Sequence, residues 1–131
     1  MRRLLIVSTF ATSLAASAAS AQALAPMRGA FASFADTFRI RLTAFNPYDR
    51  PARQTITVYD EAWRPLAGAR AMPQSFDLAP RQRASVAVTG SFDGAAARGF
   101  YVCNASPAAT EGGARVKGEV CGKYYVVRRG S

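Results

Sequence analysis

The 131-residue sequence contains no histidine. That absence removes nucleophiles activated by an imidazole, histidine general bases and histidine-ligated zinc. Cysteine is scarce: Cys103 and Cys121 are the only two. They form no CxxC motif, and two thiols alone cannot fill a zinc site. Gly-rich phosphate loops, internal repeats and a second long apolar run are all missing. Acidic residues number 8 against 17 Lys and Arg, for a net charge of +9. The few acids are poorly placed for catalysis. Asp60 and Glu61 are adjacent, so in a strand they point to opposite faces. Asp36, Asp49, Asp77 and Asp93 sit at turns, where they are expected to cap backbone groups. Ser91 lies in Gly90-Ser91-Phe92-Asp93-Gly94, which has no nucleophile-elbow spacing. The expectation is a protein that is not an enzyme and holds no metal or cofactor.

The first residues read as an export signal. Arg2 and Arg3 precede a mostly apolar stretch from Leu4 to Leu14, and small residues lead to Ala19-Ser20-Ala21 and Ala21-Gln22-Ala23. This is the charged start, short apolar run and A-x-A site of a bacterial secretory signal peptide. Residues 1–21 are assigned to it, with cleavage alternatively after residue 23. The destination is the periplasm or the exterior, with no transmembrane segment in the mature chain. An oxidising compartment favours pairing Cys103 with Cys121.

Half of the residues are hydrophobic and 19% are charged, so a packed core is expected. Residues 24–35 are small and weakly patterned, a tether or first edge strand. From Asp36 onward the period is two. Phe38, Ile40, Leu42 and Ala44 alternate with Arg39, Arg41 and Thr43; Ile56 and Val58 alternate with Thr55, Thr57 and Tyr59; Val86 and Val88 alternate with Ser85, Ala87 and Thr89. The last third reads as a hairpin whose strands carry Phe100 and Val102, then Val120, Tyr124 and Val126. Ala105 to Gly113 reads as its loop. If Cys103 faces Cys121, the hairpin centres on Gly112, within the Gly112-Gly113 pair, and Phe100 faces Tyr124 while Tyr101 faces Lys123. About seven short strands predict a single all-β domain over residues 36–131, an immunoglobulin-like antiparallel β-sandwich closed by one hairpin disulfide.

The run FRIRLTAFNPYDRPARQTITVYDEAWRPL, from Phe38 to Leu66, resembles two core strands of a bacterial immunoglobulin-like domain. FDLAPRQRASVAVTG, from Phe76 to Gly90, resembles the following turn and strand. Together they are loosely similar to the N-terminal domain of periplasmic pilus-assembly chaperones. The resemblance implies the fold and the compartment. It also implies a basic anchor for a subunit's terminal carboxylate in the cleft between two domains, to which no position of this sequence is matched.

Several surface groups remain. Asn104-Ala105-Ser106 fits a glycosylation acceptor by chance. Trp63, Tyr59 and Tyr48 flank turns and are expected in core or rim packing. Tyr101, Tyr125 and Phe45 form either a half-exposed aromatic surface or a layer packed beneath a loop. Arg39 and Arg41 point outward from one strand and Arg83 from another that neighbours it in an immunoglobulin topology, so one sheet face is expected to be basic; Lys123, Arg128 and Arg129 make the last strand basic too. The leading expectation is an exported, non-catalytic module that binds a protein or an anionic envelope component, through Arg39, Arg41 and Arg83, and does not bind nucleic acid. The alternative is a single-domain chaperone-like accessory of a pilus or secretion system that acts by strand augmentation. An inhibitor of an extracellular enzyme is a third reading.

Overall fold

The computed structural model describes residues 23–111 and 114–130, with side chains described outside 107–117. The signal segment and the Gly112-Gly113 turn lie outside the described residues.

Alternating burial builds two sheets. β3 (Thr37–Phe45) and β7 (Arg83–Ser91) turn Phe38, Ile40, Leu42, Val86 and Val88 inward. They pair antiparallel along their whole length, Thr37 opposite Ser91 and Phe45 opposite Arg83. β1 (Leu24–Ala25) borders β3 and β5 (Arg70–Met72) borders β7, completing a four-stranded sheet in the order β1-β3-β7-β5. The facing sheet has five strands: β2 (Arg28–Ser33), β9 (Ala114–Arg128), β8 (Ala97–Glu111), β4 (Ala52–Asp60) and β6 (Ser75–Leu78), in the order β2-β9-β8-β4-β6. Their inward residues, among them Ile56, Val58, Phe100, Val102, Tyr124 and Val126, close the core against the first sheet. This is the expected immunoglobulin-like sandwich, with nine strands described where about seven were expected.

One local feature extends the sequence reading and two depart from it. Residues 24–35, expected as a tether or first edge strand, supply an edge strand to each sheet, crossing between them at a cis Ala25–Pro26 bond, and β2 runs parallel to β9. The segment after Ala105 is strand, not loop: β8 continues to Glu111. A bulge after Ser106 shifts the register, so that Ser106 faces Gly118 but Ala109 faces Val116 and Glu111 faces Ala114. Finally, Asp36, Asp49, Asp77 and Asp93, expected as turn caps, accept no backbone amide with their carboxylates among the described residues. Each accepts an arginine, from Arg128, Arg81, Arg53 and Arg98 respectively. The excess of arginine over acid makes such pairing available wherever a carboxylate is exposed.

Aromatic rings fill one end of the core. Phe38 stacks on Phe100 with centroids 5.1 Å apart and meets the edge of Phe92 at 5.5 Å. Gly90, opposite Phe38, and Gly122, beside Tyr124, are required there, because a Cβ at either would collide with the ring lying over it. At the other end Asn46 is fully buried. Its Nδ2 donates to the carbonyls of Arg50, Leu78 and Ala79, and its Oδ1 accepts from the Tyr48 amide, so it ties the β3–β4 turn to the β6–β7 turn. Asn104 is also buried and donates to Gln54 and to the Ala23 carbonyl, which closes it to glycan attachment.

Cys103 and Cys121 are directly opposite and disulfide-bonded, closing a sequence separation of 18. Constraining the unfolded chain over that span is worth about 3 kcal/mol. Reduction, or replacement of both cysteines by serine, is therefore expected to lower unfolding free energy by about that amount. Denaturant melts with and without reductant measure it, and coincident melts would contradict it.

Candidate functional site

β9 is fifteen residues long and pairs with β8 along almost all of that length. On its other side β2 covers it only from Lys123 to Arg128. Among the described residues, the 114–122 stretch thus presents an unpaired row of backbone N–H and C=O groups. At about 3.3 Å per residue that edge is about 30 Å long. β4 meets β8 only up to Ala105, so the outer part of the β8–β9 hairpin projects as a two-stranded arm. Exposed edges of this length are ready templates for another chain, and globular proteins usually shorten or cover them.

The open lane ends where β2 begins. There Arg28 and Lys123 are register partners. Both are exposed, and neither has a carboxylate partner among the described residues. They line an open cleft of about 550 Å³ with Gly29, Ala30, Tyr124 and Tyr125. The row continues across the sheet as Lys123, Tyr101 and Tyr59. Lys123 Nζ lies 5.7 Å from the centre of the Tyr101 ring. Trp63 covers that ring, stacked at 4.0 Å and 11°. The turn that places Trp63 is built by Asp60, whose Oδ1 accepts from the Ala62 and Arg64 amides while its carbonyl accepts from Trp63. Those amides, that of Arg64 foremost, hold the Asp60 carboxyl below the usual carboxylate range. Trp63 takes a φ of 62° and stays 53% exposed. Of the two readings open for the outward aromatics, Tyr101 is packed beneath a turn, Tyr125 is 49% exposed, and Phe45 lies under Arg83.

Behind the cleft, Tyr124 points into the core and donates its hydroxyl to the Pro26 carbonyl at 2.5 Å, fixing the start of β2 to β9. Burial pushes its phenol from 10 up to about 12. Below pH 10 the phenol is neutral in both folded and unfolded chains. Between about pH 10 and 12 only the unfolded chain ionises, so stability falls with rising pH across that window. An absorbance titration of the five tyrosines is expected to show one that ionises late, with its midpoint near 12. Tyr124→Phe should remove it, and a titration without any late-ionising tyrosine would contradict the packing.

The sequence singled out a different surface. Arg39 and Arg41 stand exposed on β3, and Arg83 is exposed on β7. Arg39 faces Thr89 and Arg41 faces Ala87, whereas Arg83 sits at the far end of β7 opposite Phe45, about 14 Å from Ala87 at strand spacing. Sequence reading missed Arg28 because residues 24–35 carry no strong alternation. The Arg28–Lys123 pairing is also contact between opposite ends of the domain, for which no local signal exists.

No protein-family model matches the sequence, and no curated protein matches it. Solved structures do match. The periplasmic chaperone SfaE superposes with a TM-score of 0.67 over 82% of this chain and 58% of that chain, at 12% identity. The fold is that of pilus chaperone domains. The E. coli chaperone DraB matches with a TM-score of 0.66 over 80% of this chain and 54% of that one, at 17% identity. A structure of the Salmonella enterica SafA pilin in complex with the SafB chaperone matches at 0.65, 80% and 53%, with 18% identity. The chain therefore spans between 53% and 58% of the length of these chains.

Proposed function

We propose that this protein is a non-catalytic, chaperone-like module that captures an extended polypeptide segment along the open edge of β9. The observation that carries this reading is collinearity. The open lane beside residues 114–122 runs into the start of β2, at the unpaired Arg28–Lys123 cations. A segment lying parallel to β9 would bring its C-terminal carboxylate to those two cations. A segment lying antiparallel would bring its N-terminal ammonium there, against two like charges. Electrostatics thus selects the parallel orientation and a C-terminal segment. Main-chain pairing supplies affinity without demanding a particular sequence, and the carboxylate fixes the register.

The named functions of structures sharing the fold agree with this reading. They include the SafA pilin complex with its chaperone and a CsuC–CsuE chaperone–tip subunit pre-assembly complex. The export signal read at residues 1–21 and a periplasmic neighbour point to the periplasm as the place of action. Calorimetry with a twelve-residue peptide of alternating apolar residues tests the anchor. The free-acid peptide is expected to bind at least a hundredfold more tightly than the same peptide with an amidated C-terminus, because amidation removes the charge that both cations engage. Equal affinities would remove the carboxylate from the account.

A further inference from the structure

We propose that the outer face of the four-stranded sheet docks on an anionic, phosphate-bearing lipid surface, through Arg39, Arg41 and Arg70. The four strands of that sheet contain no acidic residue at all. On the rest of the surface Arg53, Arg64, Arg81, Arg98 and Arg128 are each paired to an aspartate, while Arg28 and Lys123 form the separate cationic pair beside the open edge of β9. Arg39, Arg41 and Arg70 are exposed and have no ion-pair partner among the described residues.

Register brings the three together. Arg39 and Arg70 flank Thr89 from the two neighbouring strands, which separates their Cα atoms by about 10 Å. One step along, Arg41 and Met72 flank Ala87. The floor between the arginines is therefore short side chains, over which long guanidinium arms can converge on a phosphate with the Thr89 hydroxyl beneath. Arg83 shares the face but lies outside this cluster, spread over the Phe45 ring at 5.4 Å. The occupant follows from charge and from Met72. Three uncompensated cations call for an anionic surface, and a Met 64% exposed in the same row offers an apolar group to the acyl boundary. A small anion would leave that methionine in water. This face is on the opposite sheet from the open edge of β9, so both are usable at once.

Vesicle co-sedimentation of the intact mature protein tests the proposal, with phosphatidylcholine alone and with one third phosphatidylglycerol. Binding is expected only to the anionic vesicles and is expected to weaken as salt rises. Each basic residue at an anionic surface contributes about fivefold in partitioning, so changing Arg39, Arg41 and Arg70 together to serine is expected to lower it on the order of a hundredfold. The control changes Arg53, Arg64 and Arg129 to serine, which removes the same charge away from this face. It is expected to retain most binding, with both variants keeping the circular dichroism spectrum of the parent. Equal losses from the two variants would overturn the proposal, because net charge alone would then act. So would absence of vesicle binding at low salt. Shifts of the Thr89 and Arg70 amides with inorganic phosphate, in a protein that leaves anionic vesicles untouched, would also overturn it by showing a small-anion site instead.

Discussion

Changing Phe100 to alanine is expected to cost about 3–5 kcal/mol of unfolding free energy, the range for deleting a buried aromatic. Phe100 is fully buried on β8 and reaches across the sandwich to Phe38 on β3, and Tyr124 lies 5.9 Å away on β9. Its ring thus joins both sheets and the strand that carries the candidate site. The gap could not close by small shifts, because Phe38 already lies against Gly90 and Tyr124 against Gly122. For a domain of about 100 residues the cost is a fall in melting temperature of at least about 12 °C. Trp63→Ala provides the contrast. It also removes a stacked ring, but from a half-exposed pair, and is expected to cost about 1 kcal/mol. Thermal melts showing equal losses for the two would contradict the core described above.

Changing Arg28 and Lys123 together to glutamine is expected to weaken capture of a free-acid peptide at least a hundredfold. Two hydrogen bonds to a carboxylate, each worth about 1.5–3 kcal/mol, are lost together. Stability should change by less than about 0.5 kcal/mol per site, since both side chains are exposed. The amidated peptide, which never engages the pair, should bind parent and variant alike. A double variant that binds the free acid as tightly as the parent would leave the open edge without its anchor.

The parts of this structure legible in the sequence are those governed by the two-residue period and by one long-range constraint. Phe38, Ile40, Leu42 and Ala44 face the core because only one side of β3 is buried, and a single-residue slip would expose all four. The paired cysteines then fixed the hairpin: Phe100 faces Tyr124 and Tyr101 faces Lys123, as parity requires. Legibility ended where side chains stop deciding. Ala105 to Glu111 has the composition of a loop, yet pairs as strand because the partner backbone continues alongside, with a bulge absorbing the mismatch. β2 was obscure for a related reason. Its residues alternate only between exposed and half-buried, so neither its parallel course nor the meeting of Arg28 with Lys123 left a local pattern. The basic face was visible in part. Arg39 and Arg41 were placed by alternation, but Arg70 lies in a three-residue strand within a stretch that reads as irregular.

The most direct test of the central proposal is residue-resolved. Amide resonances of the isotopically labelled protein are followed during titration with the free-acid, alternating-apolar peptide. The account predicts that shifts and new protection from hydrogen exchange concentrate in β9 from residue 114 to 123 and at Arg28, leaving β5 and β6 unchanged. Perturbation confined to β6 or β5, the outer edges of the two sheets, with β9 silent, would contradict it.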